Sequence, residues 1–396
     1  MVDTQMDIGV WQGVQSLLDN YVGIQSDDIV ILLYTSDSSE SAILVSAALE
    51  ARSIKCTRVW MAPLYDEEFS ERLLVALPSS DEVTSHLVVL GFERDTMSHT
   101  SVVAKAISKY GKSKCKVFRA ISACPSLFSI ALKASPEDLS AINTSLLERF
   151  MPAKKLRVKT AGGTDVSITI DSNKHRWISN RGIGRSGSVV ILPAGEVATF
   201  PATINGVFVA DFAFNVNAIT TRDSRLQNNP VTIWIEEGRA VKYECGDPAI
   251  SQFLEECFHT HCAYNVGEIG FGTNFCVSEP IFMNSHINER RPGIHLGFGQ
   301  HNQDPNVVGY QCTIHLDLIA QGGIVWVDED LTPINLENVA PSSQLHPDTT
   351  RAEDVFSPDT EDTDELDIDD CCGILTTEGL KLFTNPECYI DGKPLD

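Results

Sequence analysis

Along the first part of the chain, short apolar runs alternate with stretches of helical spacing. Ile29-Val30-Ile31-Leu32-Leu33 has no polar side chain at alternate positions, the mark of a strand buried on both faces of a parallel sheet. Apolar positions from Val10 to Tyr21 recur at helical intervals, and Thr35-Ser36-Asp37-Ser38 supplies N-cap chemistry for a helix over Ser41 to Ala51. With Cys56 to Trp60 returning as a strand, this is a β-α-β unit. His86 to Gly91 and Cys115 to Phe118 read as further strands around a helix from Ser101 to Tyr110. Residues 1–152 are thus expected to form an open α/β domain. With no Gly-x-Gly-x-x-Gly after its first strand, it is read as a scaffold or dimerisation domain.

From Leu156 the pattern changes to short alternating strands with polar turns, among them Leu156 to Thr160 and Val166 to Ile170. Asn205-Gly206 signals a hairpin turn, a helix is expected from Ala249 to His259, and Ile324 to Val327 is a late strand. Residues 153–336 therefore read as an α+β, strand-rich domain. Between Pro341 and Asp370 there are eleven acidic residues and one Arg, too little apolar surface to order the segment, so 337–370 is read as a disordered acidic linker. Residues 371–396, with Cys371-Cys372 and apolar pieces at Leu380 to Phe383 and Cys388 to Ile390, read as a short terminal appendage.

Composition narrows the function. The 396 residues carry a formal charge of −24, which disfavours nucleic acid and anionic membrane as partners. No run approaches the roughly 20 apolar residues of a membrane span, and no basic n-region opens the chain. The eleven cysteines are accordingly expected to be reduced thiols in a cytoplasmic protein.

Candidate chemistry gathers between Asn265 and Asp317. Glu268, His295, His315 and Asp317 each sit among glycines and apolar residues of strand character. An ionisable group there costs several kcal/mol unless it is paired or holds a metal. In His315-Leu316-Asp317 the strand period places imidazole and carboxylate on one face, as a chelating pair. Singly, each is an ordinary paired polar residue; together they form a signature. His259, His261, His286 and His301 crowd the same region, with His301 the candidate to touch a substrate. Arg290-Arg291 reads as a solvated loop pair, or as a fork for a substrate carboxylate.

These marks, with Gly195-Glu196-Val197 and Pro201 ahead of them, resemble the thermophilic aminopeptidase family, aminopeptidases T and S, in the family's order. The resemblance implies an N-terminal α/β domain, a homodimer, and a catalytic domain holding two divalent metals through Glu196, Glu268, His295, His315 and Asp317. The family's Tyr ligand falls on Asn302. Three carboxylates and two imidazoles suit two ions of the Zn, Mn or Co kind. The implied activity is hydrolysis of a peptide or small amide through a metal-bound hydroxide, with Glu196 or Glu268 bridging and His301 nearby. The chain also resembles, along most of its length and through Thr160 to Asp165, the glycines around Glu268 and His315-Leu316-Asp317, the dihydroxypyridine ring-cleaving dioxygenases. That resemblance implies one iron held by two His and one Asp, with Glu268 standing where the family has its first His; the oxygenase reading of this chain takes His295, His315 and Asp317 as a facial triad, with Glu268 as a base or a residue supporting a ligand. A third expectation is a relict site that binds a peptide or partner.

Overall fold

The computed structural model describes residues 8–94, 97–184, 187, 189–347 and 373–382. Its first sheet has five parallel strands in the order Lys55–Trp60, Ile29–Tyr34, Leu87–Phe92, Cys115–Ala120, Val189–Leu192. The apolar run of the central strand is explained by two separate cores. Val30 and Leu32 pack with Val14, Leu18, Val45 and Leu49 on one face, and Ile29, Ile31 and Leu33 pack with Phe69, Leu73 and Val103 on the other.

The expected break at residue 152 is crossed once, because Val189–Leu192 returns to pair with Cys115–Ala120 at the sheet edge. That return delivers the chain, through Pro193, Ala194 and Gly195, directly into the strand that begins at Glu196.

Two antiparallel sheets follow. The seven-stranded one runs in the order Arg239–Cys245, Val231–Glu236, Thr203–Ala210, Asp165–Thr169, Lys155–Lys159, Ile324–Val327, Ile334–Asn335. The six-stranded one runs Ala213–Val216, His315–Ile319, Gly293–Gly299, Val266–Gly272, Glu196–Thr199, Trp177–Asn180. Their apolar faces share one core, in which Val158, Ile168, Phe208 and Ile233 meet Ile269, Phe271, Leu296, Phe298 and Leu318. Burying alternate residues of both sheets in this way leaves the other face of the six-stranded sheet free for polar groups. The helix Pro248–Cys257 is capped by Asp247, which accepts hydrogen bonds from the Ala249 and Ile250 amides.

Asn205-Gly206 does not turn. Both residues lie inside Thr203–Ala210, where Gly206 has φ +130° and faces Val166 and Ile235. A Cβ there would stand 2.2 Å from the Asp165 carbonyl oxygen, so the glycine serves close strand approach rather than reversal. The expectation of a linker from 337 also changes. Residues up to 347 lie against the helix Pro136–Phe150, with the Ser342 amide donating to the Ala141 carbonyl at 3.0 Å and His346 Nε2 2.9 Å from Ser179 Oγ. The rest of the acidic segment, Cys371-Cys372 and Cys388 to Ile390 lie outside the described residues. Gly373–Thr376 and Gly379–Leu382 form a hairpin on Ala218–Ile219.

Among the described residues no helix is long and apolar enough to cross a membrane. Cys262 and Cys312 are joined by a disulfide, which corrects the expectation that every cysteine is reduced. The bond ties the turn at His261–Tyr264 to the approach of the His315 strand across a separation of 50 residues. Reduction is expected to lower the unfolding free energy by about 2–4 kcal/mol. Denaturant midpoints with and without dithiothreitol would show it, and Cys262→Ser should be indifferent to the reductant.

Candidate metal centre

All five expected ligands stand on one face of the six-stranded sheet, on four neighbouring strands. Register aligns them: Gly272 opposite Glu196, Gly270 opposite His295, Gly297 opposite both Glu268 and Asp317, and Gly299 opposite His315. The alternation Glu268-x-Gly270-x-Gly272 and Gly293-x-His295-x-Gly297-x-Gly299 thus has a steric purpose. Each ligand projects over a glycine of the next strand, while Ile269, Phe271, Ile294, Leu296 and Phe298 point into the core. A Cβ on Gly270 would stand 2.0 Å from His295 Nε2, and one on Gly297 would stand 2.9–3.0 Å from His315, Asp317 and Glu268 together.

The groups fall into three overlapping sets whose ligand atoms lie within 4.8 Å of one another: Glu196, Glu268 and His295; Glu268, His315 and Asp317; and Glu289, His295 and Asp317. His295 Nε2 is 2.9 Å from Glu196 Oε1 and 3.7 Å from Glu268 Oε1. Neither approach has hydrogen-bond direction, so both ring nitrogens are buried without a hydrogen bond. His315 Nε2 is 3.1 Å from Asp317 Oδ1, which also lacks a hydrogen bond. Buried polar atoms of this kind are rare unless an ion or ordered water completes them. The donor chemistry, carboxylate and imidazole, fits a divalent cation.

Surrounding side chains hold this set in place. His315 Nδ1 donates to the Gln300 carbonyl at 3.1 Å, which turns Nε2 toward the carboxylates. Asn302 Nδ2 donates to Glu268 Oε2 at 2.7 Å. Asn215 Nδ2 lies 3.4 Å from Asp317 Oδ2 and 3.3 Å from Glu289 Oε2. The fully buried Asn143 fixes the Glu196 backbone by donating to its carbonyl at 2.9 Å. Asn302→Leu is expected to weaken metal binding about 10–100-fold, the usual loss for an orienting partner. Competition with a chromophoric chelator would measure it, and an unchanged affinity would leave Asn302 without this role.

The electrostatics are those of crowded carboxylates. Burial opposes a charged His295, yet Glu196, Glu268 and Asp317 outweigh it and hold the imidazole well above its ordinary range. Burial likewise opposes a charged His315, and Asp317 overrides it, raising the ring to about 10. Glu289 is driven well above the usual carboxylate range by burial, against the pull of Arg290. His315 and Glu268 retain side-chain exposures of 22% and 12%, whereas His295 and Asp317 are at 1%, so solvent reaches the site from the His315 side.

One member, Glu289, was not foreseen, and Arg290, expected as a solvated loop residue or a fork for a substrate carboxylate, has another place. Glu289 ends the short helix His286–Glu289, and Arg290 follows it with 4% exposure, not as a solvated loop residue. Arg290 Nη1 lies 2.5 Å from Glu196 Oε2 and 3.1 Å from Glu289 Oε1. Arg291 pairs with Glu337 at 2.8 Å over the Phe212 ring, so neither arginine is a free fork. Glu289 gave no signal because period-2 spacing begins only at Gly293. His301 is outside the three sets: its Nδ1 accepts from the Gln303 amide and its Nε2 meets the Tyr310 carbonyl. His261 lies beside Arg239, His259 beside Gly379, and His286 Nε2 is 4.0 Å from Glu289 Oε1.

The profile of the family described as NicX: 2,5-dihydroxypyridine 5,6-dioxygenase matches residues 22–278, a stretch that contains Glu196 and Glu268 and stops before His295. No curated protein matches the sequence. The fold is similar to that of 2,5-dihydroxypyridine dioxygenase from Pseudomonas putida KT2440, at 14% identity and TM-score 0.58 over 84% of this chain and 97% of that one. It is similar also to wild-type AmpT from Thermus thermophilus, at 14% identity and TM-score 0.50 over 83% and 97%. Both relations implied by the sequence marks are therefore found, and the family and the first of these neighbours are enzymes by name. Because the matched stretch spans well over half of the molecule, the chain belongs to the NicX (2,5-dihydroxypyridine 5,6-dioxygenase) family.

Proposed function

We propose that the chain is a metal-dependent hydrolase acting on a peptide or small amide. The observation that carries this reading is the carboxylate-rich donor set on one glycine-lined face, in which Glu268 belongs to two of the three ligand sets. Such a set suits Zn, Mn or Co. A divalent ion held there lowers the pKa of a bound water toward neutrality and polarises a carbonyl.

The protein's own side chains supply position and access. Gln300 fixes the tautomer of His315 and Asn302 fixes Glu268, and these two ligands are the ones that keep exposure, at 22% and 12% of their side chains. Apolar residues beneath the sheet keep water from the far side, since Leu316 and Leu318 alternate with the ligands.

A second reading, a non-haem iron ring-cleaving dioxygenase, draws support from the family match and from Glu268, His315 and Asp317 as a carboxylate-rich version of a facial triad. One experiment separates the two. Apo-protein is reconstituted with Zn, Mn, Co or, without air, Fe(II), then offered aminoacyl anilides and 2,5-dihydroxypyridine. Anilide cleavage under nitrogen supports the hydrolase; turnover only with Fe(II), accompanied by oxygen uptake, overturns it.

A further inference from the structure

We propose that the five-stranded sheet carries a second binding site, for a small acid with an apolar body, in the cavity between the helix Thr100–Ile107 and the edge strand Val189–Leu192. None of its lining residues belongs to the three ligand sets of the metal centre, so the proposal does not rest on the hydrolase reading.

The first ground is the incompletely covered edge of the sheet. Pairing sets Val117 beside Val189 and Arg119 beside Ile191, and strand alternation puts Cys115, Val117 and Arg119 on the face that meets Thr100–Ile107. A parallel sheet normally buries both faces. Phe69, Leu73 and Val103 seal this face over the central strands, whereas Val189 at the edge stays half-buried. The gap beside it has a volume of about 240 Å3 and walls formed by Val103, Ala104, Ile107, Val117 and Val189. At roughly 30 Å3 per water this is the space of about eight waters, which suits a ligand of about ten non-hydrogen atoms. Water finds few partners between such walls, so an apolar body displaces it with a gain.

The second ground is charge. From Thr96 to Pro136 the sequence holds seven Lys and Arg and no Asp or Glu, in a chain of net charge −24. Lys112 lines the cavity and is exposed, and among the described residues its ammonium has no ion-pair partner. Lys105 and Lys109 add exposed charge on the same segment. No carboxylate lines the cavity, so its mouth favours an anionic head and opposes a cationic one.

The third ground is direction. At one end the lining residues Thr100 and Arg119 are buried, at 4% and 1% exposure. Arg119 donates there to Thr100 Oγ1 at 3.2 Å and to the Ser98 carbonyl at 2.7 Å, and Glu93 answers its charge. The guanidinium thus closes that end with no charge left to offer. At the other end Ser108, Gly111 and Lys112 are exposed. A ligand that enters tail first leaves its charged head in water, which avoids the cost of burying it. The head then stands beside Lys112, where a carboxylate is attracted and an ammonium is repelled.

The test is titration calorimetry on the full chain with three probes. Octanoate is expected to bind at one site per chain, at least about tenfold more tightly than octylammonium, which shares its tail, or acetate, which shares its charge. Ala104→Phe fills the cavity and should abolish octanoate binding. Lys112→Glu should invert the preference, so that octylammonium becomes the tighter of the two. The proposal is overturned if the wild type does not bind octanoate at millimolar concentration, if it binds octanoate and octylammonium equally, if folded Ala104→Phe binds octanoate as the wild type does, or if Lys112→Glu leaves the preference unchanged. Sedimentation of the wild type and Ala104→Phe adds one more arm: a dimer that the variant separates would put a second copy in the groove and overturn the proposal as well. Should Ala104→Phe fail to fold, the probe preference and its inversion in Lys112→Glu decide.

Discussion

Gly297→Ala is expected to yield a folded protein that has lost its divalent ion. The added methyl group would meet His315 Cε1 at 2.9 Å, Asp317 Oδ1 at 3.0 Å and Glu268 Cβ at 3.0 Å. None of these is the loose end of a flexible chain. The first belongs to a ring fixed by Gln300, the second to a short buried side chain, and the third is attached to strand backbone. Relief must come from spreading all three members of one ligand set. Overpacking of this kind costs about 1–3 kcal/mol of stability, which a core shared by two sheets can absorb. The ion suffers more, because its ligands are displaced directly, and the loss of affinity should exceed the roughly 10–100-fold typical of orienting partners. Gly246→Ala, where a Cβ meets nothing within 4 Å, is the matched control and should behave as the wild type. Chelator competition on both variants measures the difference, and a Gly297→Ala chain that binds its ion as tightly as Gly246→Ala would sink the claim that these glycines make room for a metal.

The same glycines explain what could be read from the sequence. Strand period and apolar alternation are local properties, so Glu268, His295, His315 and Asp317 declared themselves together with the small residues between them. Glu196 came only through its likeness to a family, since Gly195-Glu196-Val197 has no pattern of its own. Glu289, and the burial of Arg290, stayed hidden for a different reason. They lie on a four-residue helix and the residue after it, where no periodicity forms, and their burial comes from the distant Pro193, Asn215 and Glu196. Val189–Leu192 was missed as a member of the first sheet because pairing with Cys115–Ala120 is a contact across more than 70 residues, set by topology and not by the run itself. The Asn205-Gly206 pair was misread for the converse reason: its local turn preference was overridden by strands on both sides.

Removing either partner of the Glu93 and Arg119 ion pair is expected to destabilise the protein by about 3–5 kcal/mol, as is usual when a buried charge loses its partner. The pair lies at the carboxyl ends of two central parallel strands, with side-chain exposures of 1% and 2%. Arg119 also donates to the Ser98 carbonyl at 2.7 Å and to Thr100 Oγ1 at 3.2 Å, and it lies over Gly91, where a Cβ would stand 2.9 Å from its Cδ. In Glu93→Ala the buried guanidinium would keep Ser98 and Thr100 but lose its carboxylate, and in Arg119→Ala the buried carboxylate would keep the Ser98 amide but lose its counter-charge. The pair itself is not the source of stability, because desolvation of two ions consumes most of their attraction. The double variant Glu93→Leu with Arg119→Met should therefore lose less than either single variant. Urea midpoints of the three chains test the sign of that difference. If the double variant is the least stable of the three, the pair contributes net binding energy to the first sheet, and its placement beneath the entry to Glu196 is a source of rigidity for the site; if it is the most stable, the rigidity comes from the apolar layers on the two faces of that sheet.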